Sequence, residues 1–358
     1  MRIRPLDPDD EAGLAAWHQV FVAADQADRG EYADTWTLEE MRAELRQDAA
    51  SIRRHAFVAE TDTGVVGSAW LALPLADNHH RAELYVAVRP EHRRRSVGGS
   101  LLDHVEALAR AEGRTVAGAE SYWRHDAGPA GDGQPGVEFL RARGYECVLV
   151  DLQRWLRLPV DDRLLDELAA EAATRHPAYT LRSWQGPVPD GIVEDWAALN
   201  ASLETEAPMG DLDLEPRTAA VAVVRENEEL LAAQGRTKVN TVALDAAGRV
   251  VAFTDIALPD TGNRAYQWGT LVRGDHRGHR LGLAVKVANL RQLQRLRPDL
   301  RLLVTYNAAS NAPMVEVNDR LGFEPVEWSG EFQRRSTSST RSAGCAPRQD
   351  PRLVNPDS

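Results

Sequence analysis

Apolar positions recur along the chain in two rhythms, one alternating and one spaced three and four residues apart, and together they predict its elements. Ile3 to Pro5 reads as a short strand, and Pro8-Asp9-Asp10 opens a helix through Leu14, Trp17 and Phe21. Leu38 to Leu45 reads as a second helix. Phe57 to Glu60 and Val65 to Leu73 read as strands joined at Asp62-Thr63-Gly64, and Ala82 to Val88 as another. A helix with Val97, Leu101, Val105 and Leu108 on one face follows, then a strand over Thr115 to Ala119. A Gly- and Pro-rich loop from Ala127 to Pro135, a short helix Val137 to Arg143 and a strand Glu146 to Leu152 close the series.

The order then restarts. Tyr179 to Arg182 stands for the first strand, and Val193 to Leu203 with Trp196 for the first helix with Trp17. Lys238 to Leu244 and Val250 to Leu258 repeat the strand pair, and both pairs end in Ala-Leu-Pro, at Ala72-Leu73-Pro74 and Ala257-Leu258-Pro259. Ala265 to Val272 is the next strand and Leu283 to Leu296 an amphipathic helix behind it. Val88-Arg89-Pro90-Glu91-His92-Arg93 matches Val272-Arg273-Gly274-Asp275-His276-Arg277, and Gly144-Tyr145-Glu146 matches Gly322-Phe323-Glu324. Both offsets are roughly 180 residues, far above the period of a repeat array, so one domain is duplicated. The reading is residues 1–157, a connecting segment 158–177 in which Leu164, Leu165 and Leu168 predict a helix, residues 178–334, and a disordered tail 335–358.

Charge sharpens the picture. The formal net charge of -12 argues against a nucleic-acid partner and makes the basic turns local exceptions on an acidic surface. With no signal-like apolar start and no 18-residue apolar run, no membrane partner is expected and the protein reads as cytoplasmic. Cys147 and Cys345 fit neither a disulfide framework nor a zinc site, and His276 and His279 lack partners at ligand spacing, so no metal is expected. A Gly-x-Ser-x-Gly elbow and a Gly-Lys-Ser/Thr loop are both missing, which excludes the serine hydrolase and P-loop classes.

The chemistry centres on Leu271 to Gly282, which runs from strand through a basic, glycine-bearing turn into a helix. Glycine lets backbone approach a ligand, the first N–H groups of a helix point at an anion, and arginine adds charged donors suited to phosphate. The turn therefore reads as a pyrophosphate cradle.

Strand, Arg-x-x-Gly-x-Gly-type turn, helix, strand, then Asn and a short helix ending Leu321-Gly322-Phe323, resembles the GNAT N-acetyltransferases, twice over residues 1 to 333. The arrangement is similar to that of mycothiol synthase and related two-domain GNAT proteins. The resemblance implies an α/β fold of two tandem GNAT (acyl-CoA N-acyltransferase) domains, each a mixed, mostly antiparallel sheet flanked by helices. It implies acetyl-CoA as co-substrate and a small-molecule amine as acceptor, with a non-catalytic acyl-CoA-binding or sensor protein as the alternative.

By the same resemblance, Leu271 and Val272 offer backbone to pantetheine, and Arg277, Gly278, His279, Arg280, Leu281 and Gly282 wrap the pyrophosphate. Arg280 stands where the family's first glycine usually is. Asn311, with Asn307 beside it, is placed against the pantetheine arm. Asp255, on the face of Val251, Phe253 and Ala257, is the candidate general base, or else a strand-edge aspartate satisfied by backbone or water. Tyr306 is the candidate proton donor, because Asn318 occupies the family's tyrosine position, or else a core tyrosine. Glu206 and Asp211 are candidates for holding a cationic amine, or else belong to a solvated acidic loop. The first half has Ser96 for the glycine, lacks the Asn, and carries Leu140 at the acid position. It reads as degenerate and the second half as catalytic.

Overall fold

A single twelve-stranded sheet runs through the whole computed structural model, which describes residues 1–336. The first half supplies β1 (Arg2–Pro5), α1 (Glu11–Arg29), α2 (Leu38–Arg46), β2 (Ile52–Thr61), β3 (Gly64–Pro74), β4 (Arg81–Val88), α3 (Val97–Ala111), β5 (Val116–Arg124), α4 (Pro135–Ala142) and β6 (Glu146–Arg157). After α5 (Asp162–Ala173) the second half adds β7 (Thr180–Gln185), α6 (Val193–Ala201), α7 (Leu203–Glu206), α8 (Val221–Ala233), β8 (Arg236–Leu244) and β9 (Val250–Pro259). It closes with β10 (Arg264–Val272), α9 (Leu281–Leu296), β11 (Leu302–Ala308), α10 (Ala312–Leu321) and β12 (Glu324–Arg335). Local chemistry starts the helices where expected. Asp10 caps α1 by accepting the Gly13 N–H, and Thr37 with Glu40 forms a capping box on α2.

The strand order is β1-β2-β3-β4-β5-β12-β6-β11-β10-β9-β8-β7. The halves have exchanged their last strands. β12 lies against β5 of the first half, with Trp328 opposite Trp123, while β6 lies against β11 of the second, with Leu152 opposite Asn307. β12 and β6 also pair with each other at the centre.

Each half parts its sheet at one place. β4 and β5 pair in parallel only from Arg81 to Leu84 against Val116 to Ala119. β10 and β11 do so only from Arg264 to Gln267 against Leu302 to Thr305. Beyond those points backbone N–H and C=O groups lose their ladder partners, which makes each opening a place for a ligand with amides of its own.

α3 and α9 pack on one face of the sheet over the largest apolar clusters, and α1 and α6 on the other. On that second face each half reaches over its twin. Asp34, just past α1, accepts from Arg264 and Tyr266 at 2.7 and 2.6 Å, and Glu40 pairs with Arg236. In return Asp213 and Glu215 donate backbone N–H groups to Gln333 and Asn78.

Two expectations change. α8 was not legible, because only Val224 and Leu231 are buried along it. The ordered chain passes Arg335, which ends β12, and the Ser336 N–H donates to the Thr115 carbonyl. The rest of the expected tail, Cys345 included, lies outside the described residues. Among those residues no helix is long and apolar enough to cross a membrane.

Candidate active site

β10 carries a bulge between Gln267 and Thr270, just where it parts from β11. The bulge turns a glycine inward: the Gly269 N–H donates to Asp255 Oδ1 at 2.7 Å, while Lys238 Nζ donates to Asp255 Oδ2 at 2.6 Å. Gln267, buried at the fork, donates to the Asp255 and Gly269 carbonyls. Both oxygens of Asp255 are thus engaged. Asp255 thereby braces the bulge at the opening through both of its oxygens.

Past Val272 the chain makes a short 3₁₀ turn at Gly274–His276 and then the basic turn. Gly278 has φ +85° and nothing borders its Cα-side space within 4 Å. Arg280 has φ 53° and ψ 24°, the left-handed conformation that precedes α9, and Ser96 with φ 64° does the same before α3. The backbone path that glycine would favour is therefore kept with a side chain present. Such a residue carries strain of roughly 1–2 kcal/mol. Arg280→Gly is expected to raise stability by up to about 1 kcal/mol after glycine's own entropy cost, measured by urea unfolding. The half-exposed Arg280–Glu171 pair it removes offsets little of this.

The first intrahelical bond of α9 runs from the Ala284 N–H to the Arg280 carbonyl. The N–H groups of Leu281, Gly282 and Leu283 precede it, as an anion site requires, while the Leu281 side chain is buried in the core. Only Val272 borders Gly282. Arg277 stands at the rim, held by Glu206 Oε2 at 2.6 Å, and Arg93 is held in the same way by Asp28 in the first half. His279 Nδ1 is bonded to the Arg175 carbonyl, and Tyr179 packs against both His276 and His279.

The remaining candidates fall in different places. Glu206 accepts from Arg277 of the basic turn. Asp211 lies over the first half, its N–H on the Val148 carbonyl and its carbonyl accepting from Gln333. Asn311 is spent as the cap of α10, accepting from the Met314 N–H. Asn307 lies on the diverging end of β11 and accepts from Asn318 Nδ2 at 2.9 Å. Tyr306, next along the strand, points to the opposite face and accepts from Gln153. Burial pushes its phenol well above the usual range, so it stays protonated.

Residues distant in sequence complete the site. On the face of α6, Lys238 lies between the Trp196 and Trp268 rings at 5.3 and 5.1 Å, and Asp34 of the first half reaches Tyr266. On the face of α9, Lys286 donates to Asn318. Lys286 had a signal of its own, a charged residue inside the apolar run Leu283 to Leu290. The first half offers a tighter counterpart, since the Phe139 ring comes within 3.7 Å of a Cβ built on Gly98.

Residues 15–124 match the model of the acetyltransferase (GNAT) family. No curated protein sequence matches the chain. Among solved structures, the chain is similar to a tandem GNAT protein from the clavulanic acid biosynthesis pathway, in a form without acetyl-CoA. The identity is 27% and the TM-score 0.74, over 93% of this chain and 98% of that one. A GCN5-related N-acetyltransferase from Sphaerobacter thermophilus aligns at 16% identity and a TM-score of 0.64, over 93% and 95% of the two chains, a likeness of fold.

Proposed function

We propose, from the GNAT match over residues 15–124 and the likeness of the chain to a tandem GNAT protein, that the second half moves the acetyl group of acetyl-CoA to the amine of a small molecule. One observation carries the choice of half. The opening between β10 and β11 runs directly into a basic, left-handed turn whose Gly278 is bordered by nothing.

The residues fit a thioester with a phosphate-bearing arm. Leu281, Gly282 and Leu283 N–H groups with Arg277 receive the pyrophosphate, and the unladdered edge of β10 toward Val272 receives the pantetheine amides. Backbone N–H groups of that edge also suit the oxygen that gains charge as the amine attacks, and holding both reactants in the opening supplies much of the rate. The acceptor approaches from the face of Lys238, Trp268 and Asp34, so both halves border it. The acceptor is expected to be deprotonated by solvent, because Asp255 is engaged.

Arg277→Ala is expected to weaken acetyl-CoA binding by about five- to tenfold, a charge-assisted phosphate contact less the cost of leaving Glu206. Glu206→Gln is expected to tighten it, by about twofold, because it frees that arginine. Titration calorimetry reads both, and weaker binding in Glu206→Gln would contradict the clamp.

The non-catalytic acyl-CoA-binding reading draws on the engaged state of Asp255. Thiol release from acetyl-CoA over a panel of small amines separates the two. Turnover with any amine supports the enzyme, binding without turnover on every amine supports the sensor, and absence of binding removes both.

A further inference from the structure

Of the 42 basic residues only two are lysines, Lys238 and Lys286, and they lie on opposite faces of the second half's sheet, Lys286 linked through Asn318 to Asn307 at the diverging end of β11. Lys286 belongs to the second turn of α9 and is 3% exposed. Its Nζ donates to Asn318 Oδ1 at 2.8 Å, with the Met314 sulfur at 3.9 Å and the Phe323 ring centre at 5.3 Å. An ammonium can only donate, so it orients both amides beyond it. Asn318 Nδ2 must then donate to Asn307 Oδ1, and Asn307 keeps an N–H beyond its 3.3 Å contact with the Ala308 carbonyl.

Among the described residues no counter-charge reaches this ammonium. α5 brings Asp166 and Glu171, which are held by Arg291 and by Arg280 and Arg320. α10 brings Asp319, held by Arg154, and Glu316, which acts on Arg320. β7, β8, β9 and β10 turn Leu181, Val239, Ile256 and Ala265 toward the helix. Burial alone lowers the Lys286 pKa from its ordinary 10.5 to about 7.

The first half serves as an internal control. Leu102, Leu140 and Ser121 hold the positions of Lys286, Asn318 and Asn307, and both leucines are core residues there. The fold does not need a cation at this point, and an uncompensated one costs stability. Arginine, which this chain uses for positive charge everywhere but at Lys238 and Lys286, cannot give up a proton; lysine can.

A thioester with its phosphates at the α9 turn and its acyl group in the opening runs along the wall made by α9, α10 and the free end of β11. We propose that Lys286 is the proton donor to the thiolate that leaves acetyl-CoA in the second half, an inference that rests on the acetyl transfer assigned above. The acceptor nitrogen forms a C–N bond to the carbonyl carbon, and the C–S bond breaks with its electron pair going to sulfur. Sulfur takes a proton from Lys286 Nζ. The surplus proton of the acceptor nitrogen goes to solvent, and solvent restores the ammonium. A thiol near pKa ~8.5 and a donor close to it are well matched for such a transfer.

Coenzyme A and desulfo-coenzyme A are the probes. Wild type is expected to bind coenzyme A about tenfold more tightly than the desulfo form, which has no sulfur to bond Lys286. Lys286→Leu, the residue of the first half, should equalise the two affinities and lower kcat about a hundredfold, with KM for acetyl-CoA changed less than about threefold. In wild type kcat should fall as pH rises through the Lys286 pKa, and that limb should be missing from the variant. Lys286→Arg keeps the charge without the labile proton, so it should keep the preference for coenzyme A over the desulfo form and not the rate.

Folding gives an independent reading. Between pH 7 and 10.5 the unfolded chain binds the proton that the folded one has lost, so the Lys286 penalty is full below about 7 and fades toward 10.5. Lys286→Leu should therefore melt above wild type at pH 6, with the difference shrinking as pH rises. An unchanged probe preference, kcat and pH profile in a folded Lys286→Leu would overturn the proposal and leave acetyl transfer standing. Failure of wild type to bind either probe would remove acetyl transfer itself, and the proposal with it.

Discussion

Replacing Glu327 by Ala should destabilise the fold by about 3–5 kcal/mol, the cost of leaving a buried charge without its partner. Glu327 comes from β12, the last strand of the second half, and its side chain is fully buried. It accepts from Arg29 Nη2 at 2.6 Å and from Nε at 3.2 Å. Arg29 ends α1 of the first half, also meets Asp25 at 3.0 Å, and lies over the Tyr122 ring at 4.5 Å. The pair therefore ties the exchanged strand to the other half's helix. Without Glu327 the guanidinium keeps only Asp25 in a dry setting. Urea unfolding measures the loss, and the double change Arg29→Met with Glu327→Leu should recover most of it, since two apolar groups need no partner. A loss below about 1 kcal/mol would mean that solvent reaches the pair, as in an exposed one.

Gly269→Ala should have the largest effect on the cofactor side, weakening acetyl-CoA binding by more than about tenfold while costing about 1–3 kcal/mol of stability. A Cβ there would stand 2.6 Å from Phe253 Cε2 and 3.1 Å from Asp255 Oδ1. Phe253 is fully buried against Trp196 and cannot yield. The bulge must move instead, which breaks the Gly269 bond to Asp255 and shifts the edge of β10 that faces the opening. Calorimetry with acetyl-CoA and urea unfolding check the two parts. Normal affinity in a destabilised variant would show that the bulge shapes the fold alone.

Much of this was legible in the residues. The two hydrophobic rhythms located the strands and most helices, because burial on one face imposes those periods. Comparing Val88 to Arg93 with Val272 to Arg277 exposed the duplication, and the arginine at 280 marked a position where the backbone turns left-handed. Alternation does not say which strand lies beside which, so the exchange of β6 and β12 was hidden. Partners far apart in sequence were hidden for the same reason. The bonds of Asp255 to Lys238 and Gly269, and of Glu206 to Arg277, are of this kind. Asp211 could not be placed because its segment crosses to the other half. Lys286 was overlooked since a lysine in a helix is usually solvated, and only the packing of α10 closes over it.

The assignment of acyl-CoA binding to the second half is tested most directly by the stoichiometry of acetyl-CoA binding, titrated calorimetrically into wild type, Arg277→Ala and Arg93→Ala. The family match falls on residues 15–124, in the first half, while the open cradle is in the second, so the two arginine variants weigh one half against the other. The result expected is one molecule per chain, weakened by Arg277→Ala and untouched by Arg93→Ala. Binding that survives Arg277→Ala and is lost with Arg93→Ala, or two equivalent sites, would contradict it.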